Sequence, residues 1–221
     1  MKKSYSNRFI FCILSLILYA FGSVLGVKAG PAGTNAWNTL AIGFLELTGF
    51  SFGTTTFLIS LVILVIDFFG KGKLGFGTVF NSILIPVFSD LILILISFIP
   101  DASNHFVGAI YSLLGQIIIS FAMILYMKPA LGCGPRDTLL IIIGKKTPKF
   151  PIGVVKFLIE LAVMIIGVIL GAPFGLGTVL VMILQASLFQ LACKITNFEP
   201  RSIEHEDLVD TIRSMRNKNN L

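Results

Sequence analysis

The chain has 221 residues, 55% of them hydrophobic and 13% charged, with a mean hydropathy of +0.92 and a net charge of +6. A soluble domain carries about a quarter charged residues, so this composition excludes an ordinary globular protein and points to an integral membrane protein held in a lipid bilayer. The positive charge sits in loops between apolar runs, which assigns it to membrane orientation and argues against a nucleic-acid partner.

A spanning helix needs about 20 mainly apolar residues. The first such run, residues 9–27, follows a basic start and ends near the small Ala29, as in a signal peptide. It is longer than the ~7–15 residues of a signal-peptide apolar core, and it reads as a retained first span. In chain order the predicted spans are 8–28, 53–70, 77–99, 105–127, 153–171 and 176–195. Two segments, "GPAGTNAWNTLAIGFLELTG" and "GCGPRDTLLIIIGKKTP", hold apolar patches too short to cross and predict short re-entrant or interfacial helices. From Phe198 the chain turns polar, and Leu208, Val209, Ile212 and Met215 follow helical spacing. That tail is predicted to be an amphipathic helix on or beneath the membrane surface.

The two halves repeat. "FSFGTTTFLISL" from Phe50 lies over "FPIGVVKFLIEL" from Phe150, and "GFGTV" from Gly75 over "GLGTV" from Gly175. "GTNAWNTL" from Gly33 lies over "GCGPRDTL" from Gly132. The expected architecture is all-α: six transmembrane helices plus two short helices, as two inverted repeats of about 100 residues. The organisation is residues 1–100, residues 101–198 and a cytoplasmic tail of 199–221. With six crossings, Lys2, Lys3, Arg8, Lys71, Lys73, Lys128, Arg136, Lys145, Lys146, Lys149 and the basic tail fall on one side. That side is cytoplasmic by the positive-inside rule, with both termini. Lys28, Glu46, Asp101 and His105 fall on the other. Three crossings per repeat is an odd number, so the second half enters upside down, an arrangement found in secondary transporters.

Polar residues carry the functional expectations. Pro135 suits a first helical turn, Gly132 and Gly134 allow a tight approach, and Asp137 lies where a helix's positive end stabilises a carboxylate. Arg136 beside that end makes an anion site, or else anchors the helix at the headgroups. In the first half Asn35, Trp37 and Asn38 occupy the matching places, with Trp37 alternatively an aromatic-belt residue. Arg136, Asp137, Asn35, Trp37 and Asn38 are therefore the candidate substrate-binding residues. Asp90 and Glu160 lie within predicted spans, where an ionised side chain costs about 2.5–3.5 kcal/mol and must face protein or water. They are the candidates for ion coupling, with Lys156 one turn before Glu160 as its alternative partner. Asp67 is near a span end, where it can snorkel. Gly75, Gly77 and Thr78, and Gly175, Gly177 and Thr178, are structural: the glycines allow close packing and the threonines cap the following helix. Asn81, Gln116, Gln185 and Gln190 are expected to hydrogen-bond across helices. Cys12, Cys133 and Cys193 have no metal-ligand or disulfide spacing, and no zinc, nucleotide or nucleophile-elbow motif is present. No enzyme, metal or cofactor is expected.

"GCGPRDTLL", the "GLGT" turn and "FLIEL" around Glu160 resemble the YczE/YyaS/YitT family of small bacterial multi-pass membrane proteins, over residues 9–196. The first half departs from the pattern at Ala36, where a proline is common. In length the chain is similar to the short YczE type rather than to YitT-type members with a soluble C-terminal domain. The resemblance implies a bacterial cytoplasmic-membrane location and no particular activity. Two functions fit the residues. One is a secondary transporter or exporter of a small anionic or zwitterionic solute. The other is a non-transporting membrane accessory or scaffold protein acting through a cytoplasmic protein partner; a homo-oligomer is open under either.

Overall fold

A computed structural model describes residues 5–199 and 203–219; Lys2 and Lys3 lie outside the described residues. Helices follow in the order α1 (Tyr5–Val27), α2 (Ala36–Thr48), α3 (Phe52–Phe69), α4 (Phe76–Leu95), α5 (His105–Met127), α6 (Pro135–Lys146), α7 (Ile152–Ile169), α8 (Leu176–Ile195) and α9 (Leu208–Asn219). No strand occurs among the described residues. Six helices, α1, α3, α4, α5, α7 and α8, are long and apolar enough to cross a membrane. The protein is an all-α integral membrane protein. α2 and α6 are the two short helices; a single 3-10 turn, Gly30–Ala32, leads into α2, and an irregular stretch leads into α6.

Helix order repeats between the halves. Lengths of 23, 13, 18 and 20 residues for α1–α4 are followed by 23, 12, 18 and 20 for α5–α8. Pairing repeats as well: α1 packs on α4 as α5 packs on α8, and α2 packs on α7 as α6 packs on α3. The helices α1 and α5 form the central pair, and glycine makes their approach possible. A Cβ added at Gly22 would lie 2.7 Å from the carbonyl oxygen of Gly115, and one at Gly115 2.4 Å from that of Gly22. Where lipid removes any hydrophobic gain from helix association, such backbone proximity and dispersion hold spans together.

The Gly-x-Gly-Thr turns clamp the lead-ins of the short helices, each on the opposite half. Gly77 N–H donates to the Leu131 carbonyl at 2.7 Å, and Thr78 Oγ1 donates to that of Cys133 at 2.6 Å. Thr78 Oγ1 also accepts from Gly75 N–H at 3.1 Å, closing the first turn of α4. In the other pairing, a Cβ at Gly175 would sit 2.7 Å from the Pro31 oxygen and one at Gly177 2.6 Å from that of Gly33. Thr178 is buried there against Gly33 with its hydroxyl unpaired, and the Gly33 carbonyl accepts instead from Ser112 Oγ.

Beyond α8 the tail folds back onto the basic end of the bundle. Glu206 N–H donates to the Ala130 carbonyl at 2.9 Å, and Leu208 N–H to that of Leu74 at 3.0 Å. The Glu206 carboxylate pairs with Arg8 at 2.9 Å and accepts from Thr211 at 3.0 Å and Tyr5 at 3.3 Å. Val209, Ile212 and Met215 remain exposed on α9. At the opposite end Lys28 pairs with Asp101 at 3.0 Å and donates to the Ile99 carbonyl at 2.8 Å.

Candidate functional site

A cavity of about 270 Å³ lies in the middle of the bundle, and each helix from α1 to α8 contributes to its wall. The N-terminal ends of α2 and α6 both open onto it: Asn35, Ala36 and Trp37 from one, Gly134, Pro135, Arg136 and Asp137 from the other. Local sequence explains both starts. Asn35 accepts from Asn38 N–H at 3.0 Å, an N-cap that satisfies one of α2's free donors. α6 begins with Pro135, whose missing N–H is not needed there, and carries Asp137 in its first turn.

Across the cavity the Arg136 guanidinium stacks on the Trp37 ring, 4.8 Å from its centroid. The matching residues of the two halves therefore meet each other. A headgroup anchor and an aromatic-belt residue at opposite faces of a membrane would lie much farther apart than this contact. Arg136 makes no ion pair among the described residues; it lines the cavity within hydrogen-bonding reach of the Tyr19 hydroxyl. Asp137 accepts from Tyr126 at 2.8 Å. Glu160 is buried, accepts from Gln185 and lies 3.7 Å from Lys156, so the sequence-predicted Lys156 pairing is present.

Two candidates fall elsewhere. Asn38 is tied to α1, accepting from Ser23 Oγ at 2.8 Å and donating to the Ser23 carbonyl at 3.1 Å, and it does not line the cavity. Asp90 lies near the C-terminal end of α4, not mid-span, because the chain leaves the helix at Ile96. It accepts from Ser51 at 2.5 Å and from Gly53 N–H at 2.7 Å, capping α3 away from the cavity. Asp67 also departs from expectation: it does not snorkel but is fully buried. Among the glutamines, Gln116 and Gln185 face the cavity with Asn81, whereas Gln190 is exposed on the outside of α8.

Sequence reasoning missed Tyr19, Ser23, Thr56, Ser60 and Tyr126, all of which line the cavity. Tyr19 with Ser23 and Thr56 with Ser60 are spaced i, i+4, as are Lys156 and Glu160, so each pair shares one helix face. Polar pairs at that spacing inside apolar runs were the available signal. Formal charge in the cavity balances, with Arg136 and Lys156 against Asp137 and Glu160. Each helix N-terminus adds roughly half a positive charge, and two of them tip the site towards anions. Among the described residues no group of three or more His, Cys, Asp or Glu side chains gathers to hold a metal ion.

The profile of a family of unknown function, DUF6198, matches residues 6–194. The chain belongs to that family. It is 28% identical over 194 residues to the uncharacterized membrane protein YczE of Bacillus subtilis, covering 87% of this chain and 88% of that one. It is 33% identical over 172 residues to an uncharacterized protein of Haemophilus influenzae, covering 76% and 77% of the two chains. The matched region, residues 6–194, contains both "GCGPRDTLL" and "FLIEL". No solved structure matches the chain.

Proposed function

We propose that the chain is a non-enzymatic secondary transporter or exporter of a small anionic or zwitterionic solute in the bacterial cytoplasmic membrane. The observation that carries this reading is the convergence of two short-helix N-termini on one cavity, with Arg136 stacked on Trp37 between them. Converging N-termini of interrupted helices point partial positive charge at an anion, and the guanidinium adds directional donors. Glu160, on the cavity wall, is better placed than Asp90 to couple an ion. Three long helices per repeat are an odd number of crossings, and with the basic end read as cytoplasmic this supports opposed halves and alternating access by analogy with other inverted repeats.

The test is direct binding. Trp37 is the sole tryptophan, so its emission in the purified protein reports on the cavity as small carboxylates, phosphates and amino acids are added. One solute class should shift the emission, and Arg136→Ala should weaken that response roughly 10-fold or more, the loss of one charge-assisted hydrogen bond worth about 1.5–3 kcal/mol. Binding unaffected by Arg136→Ala would remove the reading. The accessory reading, which draws on the exposed Val209 and Ile212 of α9, then gains if deleting residues 199–221 abolishes the cellular phenotype while Arg136→Ala does not.

A further inference from the structure

Asp67 lies in the last turn of α3, is 0% exposed, and has neither carboxylate oxygen hydrogen-bonded. Its counterpart in the second half is Gly167, and the two contacts are built differently. There a Cβ at Gly43 would lie 2.4 Å from the Gly167 oxygen, and one at Gly167 2.6 Å from that of Thr39, so α2 and α7 touch backbone to backbone. Where α6 meets α3, the matching residues are Ile142 and Asp67, and side chains stand between the helices. The turn after α3 closes over this contact. A Cβ at Gly70 would meet Ile142 at 2.9 Å, and one at Gly72 would meet Thr138 at 2.5 Å. Gly72, Thr138 and Cys133 in turn line a basic crevice of about 1270 Å³ at that end of the molecule. Gly72 thus lies against both Thr138 and the Asp67 backbone at the edge of this crevice, which Asp67 itself does not line.

An ionised carboxylate without a donor in such packing costs several kcal/mol, and the neutral acid far less. No charged group answers it. α3 has no other charge; Lys71 and Lys73 of the following turn are exposed. The segment leading into α6 brings the uncharged side chain of Cys133 towards this carboxyl group. Arg136 and Asp137 face the central cavity, while Lys145 and Lys146 line the crevice. On α4, Asp90 caps the far end of α3, and Glu46 of α2 lies in that helix's last turn.

We propose that Asp67 is a proton-binding site whose occupancy sets the position of α6: protonated while α6 packs on α3, and releasing its proton to crevice water when α6 withdraws. The proton leaves a carboxyl oxygen for a water molecule and returns the same way, so no other bond is made or broken. The inference deepens the transport reading by adding a proton site outside the cavity to the Glu160 site within it, and rests on that reading only for the purpose of the movement. The reporter is again Trp37, because α6 carries the Arg136 stacked on it. Its emission is recorded on the full-length protein in lipid nanodiscs from about pH 5 to pH 9, the range in which a perturbed carboxyl group titrates. Wild type should show one step, which Asp67→Asn abolishes and Glu46→Gln, at an exposed carboxylate outside the cavity, retains. Asp67→Gly, the residue of the other half, should abolish it too and serves if the asparagine variant fails to fold. A step unchanged in both Asp67 variants, a step lost in Glu46→Gln as well, or no step in wild type overturns the assignment. An Asp67-dependent step with no solute bound by the cavity would overturn the transport reading and leave the proton site standing.

Discussion

Single glycines set how closely the spans can approach, and their neighbours rank them. Gly43 faces the Gly167 backbone at 2.4 Å from an added Cβ, whereas Gly153, in the first turn of α7, meets nothing within 4 Å. Both are helical, so propensity alone would favour replacing either, by up to about 1 kcal/mol for alanine. Packing reverses the sign at Gly43. Gly43→Val should lower the thermal midpoint in detergent by the equivalent of about 1–3 kcal/mol, while Gly153→Ala leaves it level or slightly higher. Equal effects at the two sites would mean that α2 and α7 are not in backbone contact. Asp90 teaches the same lesson for charge: a carboxylate inside an apolar stretch invites a functional reading, yet here it meets the Ser51 hydroxyl and the Gly53 amide at the start of α3.

At the scale of an element, the tail is held to the bundle by backbone bonds to Leu74 and Ala130 and by Glu206 on Arg8. His205 lies in this strap with Nδ1 buried and unpartnered. Burial pushes its pKa below the ordinary 6.5, against a smaller opposing pull from the Asp137 charge. The undocked imidazole takes a proton near pH 6.5, the docked one only lower. Between those values the undocked tail binds more protons, so docking is strongest above pH 6.5 and weakens as pH falls through that window. Amide exchange in residues 203–216, corrected for intrinsic rates, should rise between about pH 7.5 and pH 5.5. His205→Gln should flatten that rise. A tail equally protected at both pH values would show that the imidazole does not govern docking.

At the scale of the whole molecule, Arg8, Lys71, Lys73, Lys128, Lys145, Lys146 and Arg213 come together around one crevice, while Lys28 and Asp101 pair at the other end. Such asymmetry orients a membrane protein. In a background lacking Cys12, Cys133 and Cys193, a membrane-impermeant thiol reagent should label Asp101→Cys in intact cells. Lys73→Cys and Lys146→Cys should react only in inside-out vesicles. Labelling of all three from one side would rule out the inverted arrangement of the halves.

How much of this was legible beforehand depends on range. Length and apolarity determine a span locally, so the six long helices, the two short ones and the tail helix were readable from residue order, and the repeat from matched blocks such as "GFGT" and "GLGT". The Lys156–Glu160 pair was readable for the same reason, both residues lying one turn apart on one helix. What a polar residue faces is not local. Asn38 turning to Ser23, Asp90 to the start of α3, Asp67 buried beside Gly72, and Arg136 laid on Trp37 across 99 residues of chain all depend on which helices pack together. That choice is made by side-chain volume and backbone approach between distant segments, and only the tertiary structure expresses it.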